Sequence, residues 1–143
     1  MSRELPSFKA VDTEPSRVKV FVYGTLKEGG HNRHWLAGSD PMGAGVIRDK
    51  QYIMRNLGAY PALQKSDDGD LIFGEIHAIN TDIVAQLDRL EGYPDLYDRE
   101  WVTVEDEYGN AHLCLVYFVK EDWVEEYPVM SEGYWDVNKD YYE

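Results

Sequence analysis

Only one segment of this 143-residue chain carries the signals of a well-defined α-helix, and this constrains the fold more than any other feature. The segment covers residues 80–92. Asn80 or Thr81 can accept hydrogen bonds from the free N–H groups of the first turn, and Asp82 suits the positive end of the helix dipole. Gly92 can adopt the left-handed conformation that ends a helix. An apolar stripe at helical spacing is formed by Ile83, Val84, Leu87 and Leu90.

The other regular segments are short, rich in β-branched and aromatic residues, and separated by turn residues, which is typical of strands. We predict six strands, over residues 18–23, 43–54, 60–64, 71–79, 101–105 and 111–119. Asn32 is predicted to cap a helix of one or two turns that extends through Leu36, with Gly38 ending it. This pattern predicts an α+β fold with a mixed sheet that is curled or barrel-like, although the pattern alone does not require closure into a barrel.

The chain length suits a single domain. Residues 1–17 lack periodicity and predict a flexible N-terminal lead-in, so we expect one domain over residues 18–143. From Glu121 onward the tail is acidic, with Lys139 as its only basic residue. Aromatic residues are interspersed through this tail, namely Trp123, Tyr127, Tyr134, Trp135, Tyr141 and Tyr142. A freely solvated tail has little use for them, so we predict that the tail docks partly onto the domain.

The formal net charge of -13 disfavours nucleic acid and anionic membranes as partners, because phosphate groups bind clustered Lys and Arg. The sequence has neither an apolar run of the roughly 20 residues that a membrane-spanning helix needs nor the apolar core of a signal peptide, which predicts a cytoplasmic protein. Cys114 is the only cysteine and lies in an apolar run. We therefore expect a buried structural thiol rather than a disulfide or a catalytic thiolate.

Glu91 occupies an unusual place for a carboxylate. On a helical wheel it lies one turn after Leu87 and beside Leu90, at the edge of the apolar stripe. A carboxylate there loses water and also lies at the negative end of the helix. Both effects raise its pKa toward the value that a general acid/base needs. From periodicity alone, however, the side chain could instead turn into solvent.

A second candidate site is the turn formed by Tyr23, Gly24, Thr25 and Leu26. A glycine directly after a buried strand permits a sharp turn whose backbone N–H groups point into one concavity, which suits a carboxylate or a developing oxyanion. Lys27 is expected to add positive charge nearby. Taken alone, the pattern is also compatible with an ordinary strand-to-loop turn.

The sequence predicts no metal site. His31 and His34 stand three residues apart and could share a helical face, but no firm third ligand is visible, so we expect two surface histidines. Asp67, Asp68 and Asp70 form an acidic loop without the ordered ligand spacing of a calcium site, and we expect them to be solvated.

Five segments follow one another along the chain at residues 20–27, 58–61, 74–76, 87–94 and 96–99. Together they resemble the gamma-glutamyl cyclotransferase-like family, and most closely its gamma-glutamylamine cyclotransferase branch. The resemblance extends from about Val18 to Val119 and leaves the lead-in and much of the acidic tail outside. It implies a small mixed β-barrel of about six strands with flanking helices.

The resemblance also implies an activity, the conversion of a gamma-glutamyl amide into 5-oxoproline and a free amine. Glu91 would be the general acid/base, and the turn from Tyr23 to Leu26 would bind the gamma-glutamyl head group. Tyr97 matches a tyrosine that the family places beside the cavity. In the implied reaction the α-amine of the substrate attacks its own γ-carbonyl, so neither an enzyme nucleophile nor a cofactor is expected.

Two other functions stay open at this point. The same cavity could hold an amino-acid-like or other small ligand without catalysis, because a fold does not determine a function. The acidic surface could instead mimic nucleic acid and occupy a basic protein partner. Release of 5-oxoproline from gamma-glutamyl amides would separate the enzymatic hypothesis from both alternatives.

Overall fold

The computed structural model describes residues 17–120 and 122–139. Its strands are β1 (Arg17–Val22), β2 (Asp40–Asn56), β3 (Pro61–Lys65), β4 (Asp70–Asn80), β5 (Tyr97–Asp106) and β6 (Ala111–Val119). Helix α1 (Thr81–Glu91) connects β4 to β5, and two short 3₁₀-helices cover Arg33–Leu36 and Asp122–Glu126. The predicted strands and the predicted helix are therefore present, although β2 and β5 are longer than expected.

Five of the strands close into a barrel. The strand order is β3-β2-β4-β1-β6-β5, and β5 also pairs with β2, opposite Gly45 and Val46. That pairing closes the ring, while β3 lies outside it against β2. Strand β1 runs antiparallel to β4 and parallel to β6, so the barrel is mixed. The predicted α+β fold with a small mixed barrel is confirmed.

The alternating side chains of β1 serve two separate hydrophobic cores. Phe21, together with Tyr23 just beyond the strand, packs inside the barrel. Val20 and Val22 point to the other side of the strand, where they share a core with Leu87 of α1. Successive side chains point to opposite faces of a strand, which produces this division. The core on the outer face holds α1 against the barrel.

Helix α1 begins and ends at the predicted residues. The Asn80 side chain accepts a hydrogen bond from the Ile83 N–H (2.9 Å), and Gly92 closes the helix in a left-handed conformation with φ of 70°. Leu87 is fully buried, as the stripe predicted, but Leu90 is 37% exposed. The prediction for Leu90 was wrong because this last turn borders a cavity rather than the surface of the sheet.

The acidic tail packs onto the barrel over its described residues. The Met130 N–H donates to the carbonyl of Met54 (2.7 Å) in β2, and Gly133 accepts from the Phe73 N–H (2.8 Å) in β4. Trp135 is buried. The predicted partial docking is thus confirmed for residues 122–139, while residues 121 and 140–143 lie outside the described part. The predicted lead-in also lies outside it, except for Arg17 at the start of β1.

Cys114 is fully buried in β6. Burial raises the pKa of its thiol to about 12, which keeps the group protonated and unreactive at neutral pH. The expected structural thiol is confirmed. In residues 17–120 and 122–139, no helix has the length and apolar character needed to cross a membrane.

Candidate active site

A cavity of about 230 Å³ opens where β1 ends, between the following turn, the start of β3 and the last turn of α1. Its described lining residues are Phe21, Val22, Tyr23, Gly24, Thr25, Leu26, Asn32, Tyr60, Pro61, Leu90, Glu91, Leu96, Tyr97 and Tyr117. The residues predicted for a site from the sequence, namely Glu91, the turn from Tyr23 to Leu26, and Tyr97, all lie on this one surface. The fold thereby brings together residues that lie far apart in the sequence.

The turn after β1 is closed by its own hydrogen bonds. The Lys27 N–H donates to the carbonyl of Gly24 (3.0 Å), and the Asn32 N–H donates to the carbonyl of Thr25 (3.0 Å). The Asn32 side chain adds a bond to the Thr25 hydroxyl (2.9 Å). Asn32 was predicted as a helix cap, but its side chain makes no capping bond and instead closes the loop beside the cavity.

Glu75 of β4 anchors the same loop from behind. Both of its carboxylate oxygens accept from the Glu28 N–H (3.1 and 3.0 Å), and Oε1 also lies 3.1 Å from the Nε2 of buried His77. Burial opposes ionisation of Glu75, but the hydrogen bonds from His77 and Glu28 outweigh it, so the pKa of this carboxyl lies below its usual range. A charged Glu75 therefore holds the loop against the barrel.

Glu91 is half-buried in the cavity wall at the end of α1. Loss of water around its carboxyl group raises the pKa to about 7. The sequence had suggested two causes for such a shift, and burial is the one that accounts for it in the structure. A carboxyl group with this pKa can both accept and return a proton near neutral pH.

Two phenols line the same cavity and interact electrostatically with this carboxyl group. Burial raises the pKa of Tyr23 well above its usual value, and interactions with Tyr97 and Glu91 add to the rise. Burial and the charge of Glu91 also raise the pKa of Tyr97. Both phenols therefore stay protonated. The Tyr23 hydroxyl already donates to the backbone carbonyl of Tyr117 (2.8 Å), which fixes its ring in the wall.

Lys27 does not take the place predicted for it. Its side chain is only 4% exposed, and its ammonium group donates to the carbonyl of Trp135 and lies 3.9 Å from the ring centroid of Tyr134. Burial lowers the pKa of Lys27, while the charges of Glu75 and Asp136 oppose that change. Lys27 thus directs its positive charge to the acidic tail, and it is not among the residues that line the cavity.

Sequence reasoning did not place three polar residues of the wall, Asn32, Tyr60 and Tyr117, in a functional site. Tyr60 lies in the segment 58–61 that contributed to the family resemblance, so a signal for it existed. Tyr117 had no local signal, because its place depends on the parallel pairing of β6 with β1. His31 and His34 are exposed, as predicted. Among the described residues, no group of three His, Cys, Asp or Glu side chains could hold a metal ion.

The barrel and its outer helix have the gamma-glutamyl cyclotransferase-like fold. The crystal structure of a mouse AIG2-like protein matches this chain with a TM-score of 0.71 and 22% sequence identity, over 84% of this chain and 88% of that one. The family model "Gamma-glutamyl cyclotransferase, AIG2-like" matches residues 20–137. The chain belongs to this family. Because the match reaches residue 137, the family resemblance includes most of the acidic tail, and the expected end of the resemblance near Val119 was wrong.

Relatives in animals show the same similarity at the level of sequence. A Drosophila melanogaster protein, provisionally named a gamma-glutamylcyclotransferase, is 34% identical over 109 residues, which cover 71% of this chain and 69% of the relative. A Danio rerio protein named gamma-glutamylaminecyclotransferase A is 31% identical over 105 residues, covering 66% of this chain and 63% of the relative. These matches support the family and do not separate its branches.

Proposed function

We propose that this protein is a gamma-glutamyl cyclotransferase-type enzyme that releases 5-oxoproline and a free amine from a gamma-glutamyl amide. The observation that carries the proposal is the position of Glu91. Its carboxyl group, with a pKa raised to about 7 by burial, lines the same cavity as the turn from Tyr23 to Leu26. A proton acceptor and the turn that would supply backbone donors therefore line one small cavity.

Glu91 would act first as a base on the α-ammonium group of the substrate. The freed amine attacks the γ-carbonyl carbon, forms the new C–N bond of the five-membered ring, and the old C–N bond to the leaving group then breaks. Two protons leave the α-nitrogen during this sequence, and Glu91 carries them one at a time to the departing nitrogen, which leaves as an ammonium ion. Atoms and charge balance without a cofactor.

The turn would supply the electrostatic part of catalysis. Backbone N–H groups after a strand end can hold the α-carboxylate of the substrate or stabilise the oxyanion of the tetrahedral intermediate. The attacking and attacked atoms belong to one molecule, so the enzyme's main task is to hold the folded-back conformer. Such positioning can be worth about 7 kcal/mol or more. The protonated phenol of Tyr97 would add a donor to the same wall.

The charge of the cavity favours a gamma-glutamylamine as the substrate. None of its described lining residues is Lys, Arg or His, so a leaving group with a carboxylate near the scissile bond would meet no cation. Burying an unpaired carboxylate is costly. A gamma-glutamyl amino acid carries such a group on the carbon next to the leaving nitrogen, whereas gamma-glutamyl-ε-lysine and glutathione carry their leaving-group carboxylate at the far end of the departing molecule.

The test is to incubate the full chain with gamma-glutamyl-ε-lysine, a gamma-glutamyl amino acid and glutathione, and to quantify 5-oxoproline by mass spectrometry. An enzyme-free sample corrects for spontaneous cyclisation. We expect 5-oxoproline from at least the first compound, at a rate above that with the gamma-glutamyl amino acid. Binding of these compounds without any 5-oxoproline would refute the enzymatic proposal and favour a ligand-binding module. Equal rates with all three would refute only the choice of substrate.

A further inference from the structure

Asp88 lies one helical turn before Glu91 on α1 and has no part in the proposed proton transfers. Its Oδ1 accepts from the Tyr117 hydroxyl (2.5 Å) and from Nη1 of Arg99 (3.0 Å). Its Oδ2 lies 3.1 Å from the same Arg99 nitrogen. Three contacts therefore tie the last turns of the helix to two strands, β5 through Arg99 and β6 through Tyr117.

Arg99 also holds the segment by which the chain leaves the helix. Its guanidinium group lies 4.2 Å from the ring centroid of Tyr93, and the Tyr93 N–H donates to the backbone carbonyl of Asp88 (2.9 Å). The side chain and the backbone of Asp88 are thus both engaged at the helix end. Hydrogen bonds between charged groups are directional as well as strong, so they fix an orientation that apolar packing alone would leave looser.

Tyr117 extends these contacts to Tyr23, at the start of the turn. Its hydroxyl group donates to Asp88, while its backbone carbonyl accepts from the Tyr23 hydroxyl. Tyr117 and Tyr23 both line the cavity that Glu91 faces. One continuous set of hydrogen bonds therefore runs from the helix that carries Glu91 to the first residue of the turn.

We propose that Asp88 is a positioning residue, which acts through Tyr117 and Arg99 to hold Glu91 facing the turn from Tyr23 to Leu26. The effect on turnover rests on the proposed function, whereas the effect on the placement of Glu91 does not. Asp88 is half-buried, and a buried carboxylate costs free energy unless it is paired. Its three contacts with Tyr117 and Arg99 supply that pairing, and they fix the orientation of the helix end.

The activity test compares Asp88→Ala, Tyr117→Phe and the double variant in 5-oxoproline release. We expect Asp88→Ala to lower kcat about 10- to 100-fold while KM changes little, because a small displacement of the base disturbs the reacting geometry more than binding. Tyr117→Phe should produce part of the same loss. The double variant should lose no more than Asp88→Ala alone, because the Tyr117 hydroxyl acts through Asp88. Asp82→Ala is the control, since it removes a like charge from the exposed first turn of α1.

A second readout needs no turnover. The carboxyl signal of Glu91 is followed by ¹³C NMR during a pH titration and is assigned by its loss in Glu91→Gln. If the helix end loosens, water reaches Glu91 and its pKa falls from about 7 toward the usual value. Tyr117→Phe keeps the charge of Asp88, so a fall in that variant reflects position rather than loss of a neighbouring charge. The Asp82→Ala variant should keep the wild-type pKa.

The proposal is overturned if folded Asp88→Ala retains both the wild-type kcat and the wild-type pKa of Glu91. If Asp88→Ala does not fold, Tyr117→Phe replaces it in this test, because that variant removes only one oxygen atom. The proposal is then overturned if Tyr117→Phe retains both wild-type values. Absence of 5-oxoproline in the wild-type reaction would instead refute the proposed function. In that case the titration still tests the placement of Glu91, and the two failures stay distinguishable.

Discussion

Gly24 lies directly against the ring of Pro61. A Cβ atom on residue 24 would lie 2.7 Å from Cδ and 2.8 Å from Cγ of Pro61, closer than real Cβ contacts allow. The proline ring is stiff and begins β3, so it cannot turn aside as a flexible side chain would. The glycine is therefore required for the turn to approach β3 this closely, and both residues line the cavity.

We predict that Gly24→Ala raises KM by about tenfold or more, because the turn must move away from Pro61 and its N–H groups with it. The clash should also lower the free energy of unfolding by about 1–3 kcal/mol. Steady-state kinetics and urea unfolding measure the two effects. Gly38→Ala is the control, because Gly38 has φ of 90° and no atom near its missing Cβ. That variant should lose stability through backbone strain but keep its KM, and an equal rise in KM would contradict the prediction.

Glu91→Gln keeps the shape of the side chain but removes the base. We predict that kcat falls by about 10²- to 10⁴-fold, the usual contribution of general acid/base catalysis, while the Kd of a gamma-glutamyl amide changes little. Single-turnover assays and isothermal titration calorimetry measure the two quantities. Glu107→Gln makes the same chemical change at an exposed residue away from the cavity and should behave as wild type. Turnover in Glu91→Gln within a few-fold of wild type would remove Glu91 from the mechanism.

The raised pKa of Glu91 also predicts how stability depends on pH. An unfolded Glu titrates near its usual pKa of about 4.3, whereas folded Glu91 titrates at about 7. Between these values the folded state binds more protons than the unfolded state, so wild-type stability falls as pH rises through this window. Glu91→Gln has no such group. We predict that it matches wild type at pH 4 and exceeds it by about 2 kcal/mol at pH 8, a figure reduced for partial exposure.

Urea unfolding of both proteins at pH 4, 6 and 8 measures this difference. Other titrating groups are shared by the two proteins, so they cancel when the two free energies of unfolding are subtracted. A difference that stays constant across the three pH values would show that the carboxyl group of Glu91 is as well solvated in the folded protein as in the unfolded chain.

What the sequence predicted well was encoded locally. Asn80 caps the start of α1 with its side chain, and Gly92 ends the helix with a left-handed backbone conformation. Neither property depends on the elements that surround the helix. The place of Glu91 beside the apolar stripe allowed an inward position but also one in solvent, and only the structure separates the two. The pairing of β5 with Gly45 and Val46 of β2, which closes the barrel, joins strands far apart in the chain and had no local signal. Such non-local contacts decide the shape of the cavity.

The role of Lys27 was missed for a related reason. A lysine beside a predicted anion-binding turn is expected to add positive charge to that turn. Only the path of the tail shows that the ammonium group binds the tail instead. The aromatic residues of the tail predicted docking, but not that Tyr134 and Trp135 would meet the side chain of Lys27. The tail thus contacts Lys27, the residue that directly follows the turn.

Lys27→Met tests whether this contact holds the tail in place. Met has nearly the same length and is readily buried, so the change removes the charge without opening a large cavity. It deletes the donor to the Trp135 carbonyl and the cation above the Tyr134 ring. We predict a loss of about 1–3 kcal/mol in the free energy of unfolding and faster amide exchange over residues 131–139, while the barrel strands keep their protection.

Hydrogen–deuterium exchange with mass spectrometry resolves the tail from the barrel. Lys120→Met is the matched control, because Lys120 is exposed and its loss should leave exchange in residues 131–139 unchanged. Because residues 24–27 form one closed turn, release of the tail should also raise KM modestly, by less than Gly24→Ala does. If Lys27→Met leaves exchange in the tail at the wild-type rate, the backbone hydrogen bonds of Met130 and Gly133 suffice to hold it, and Lys27 is not its anchor.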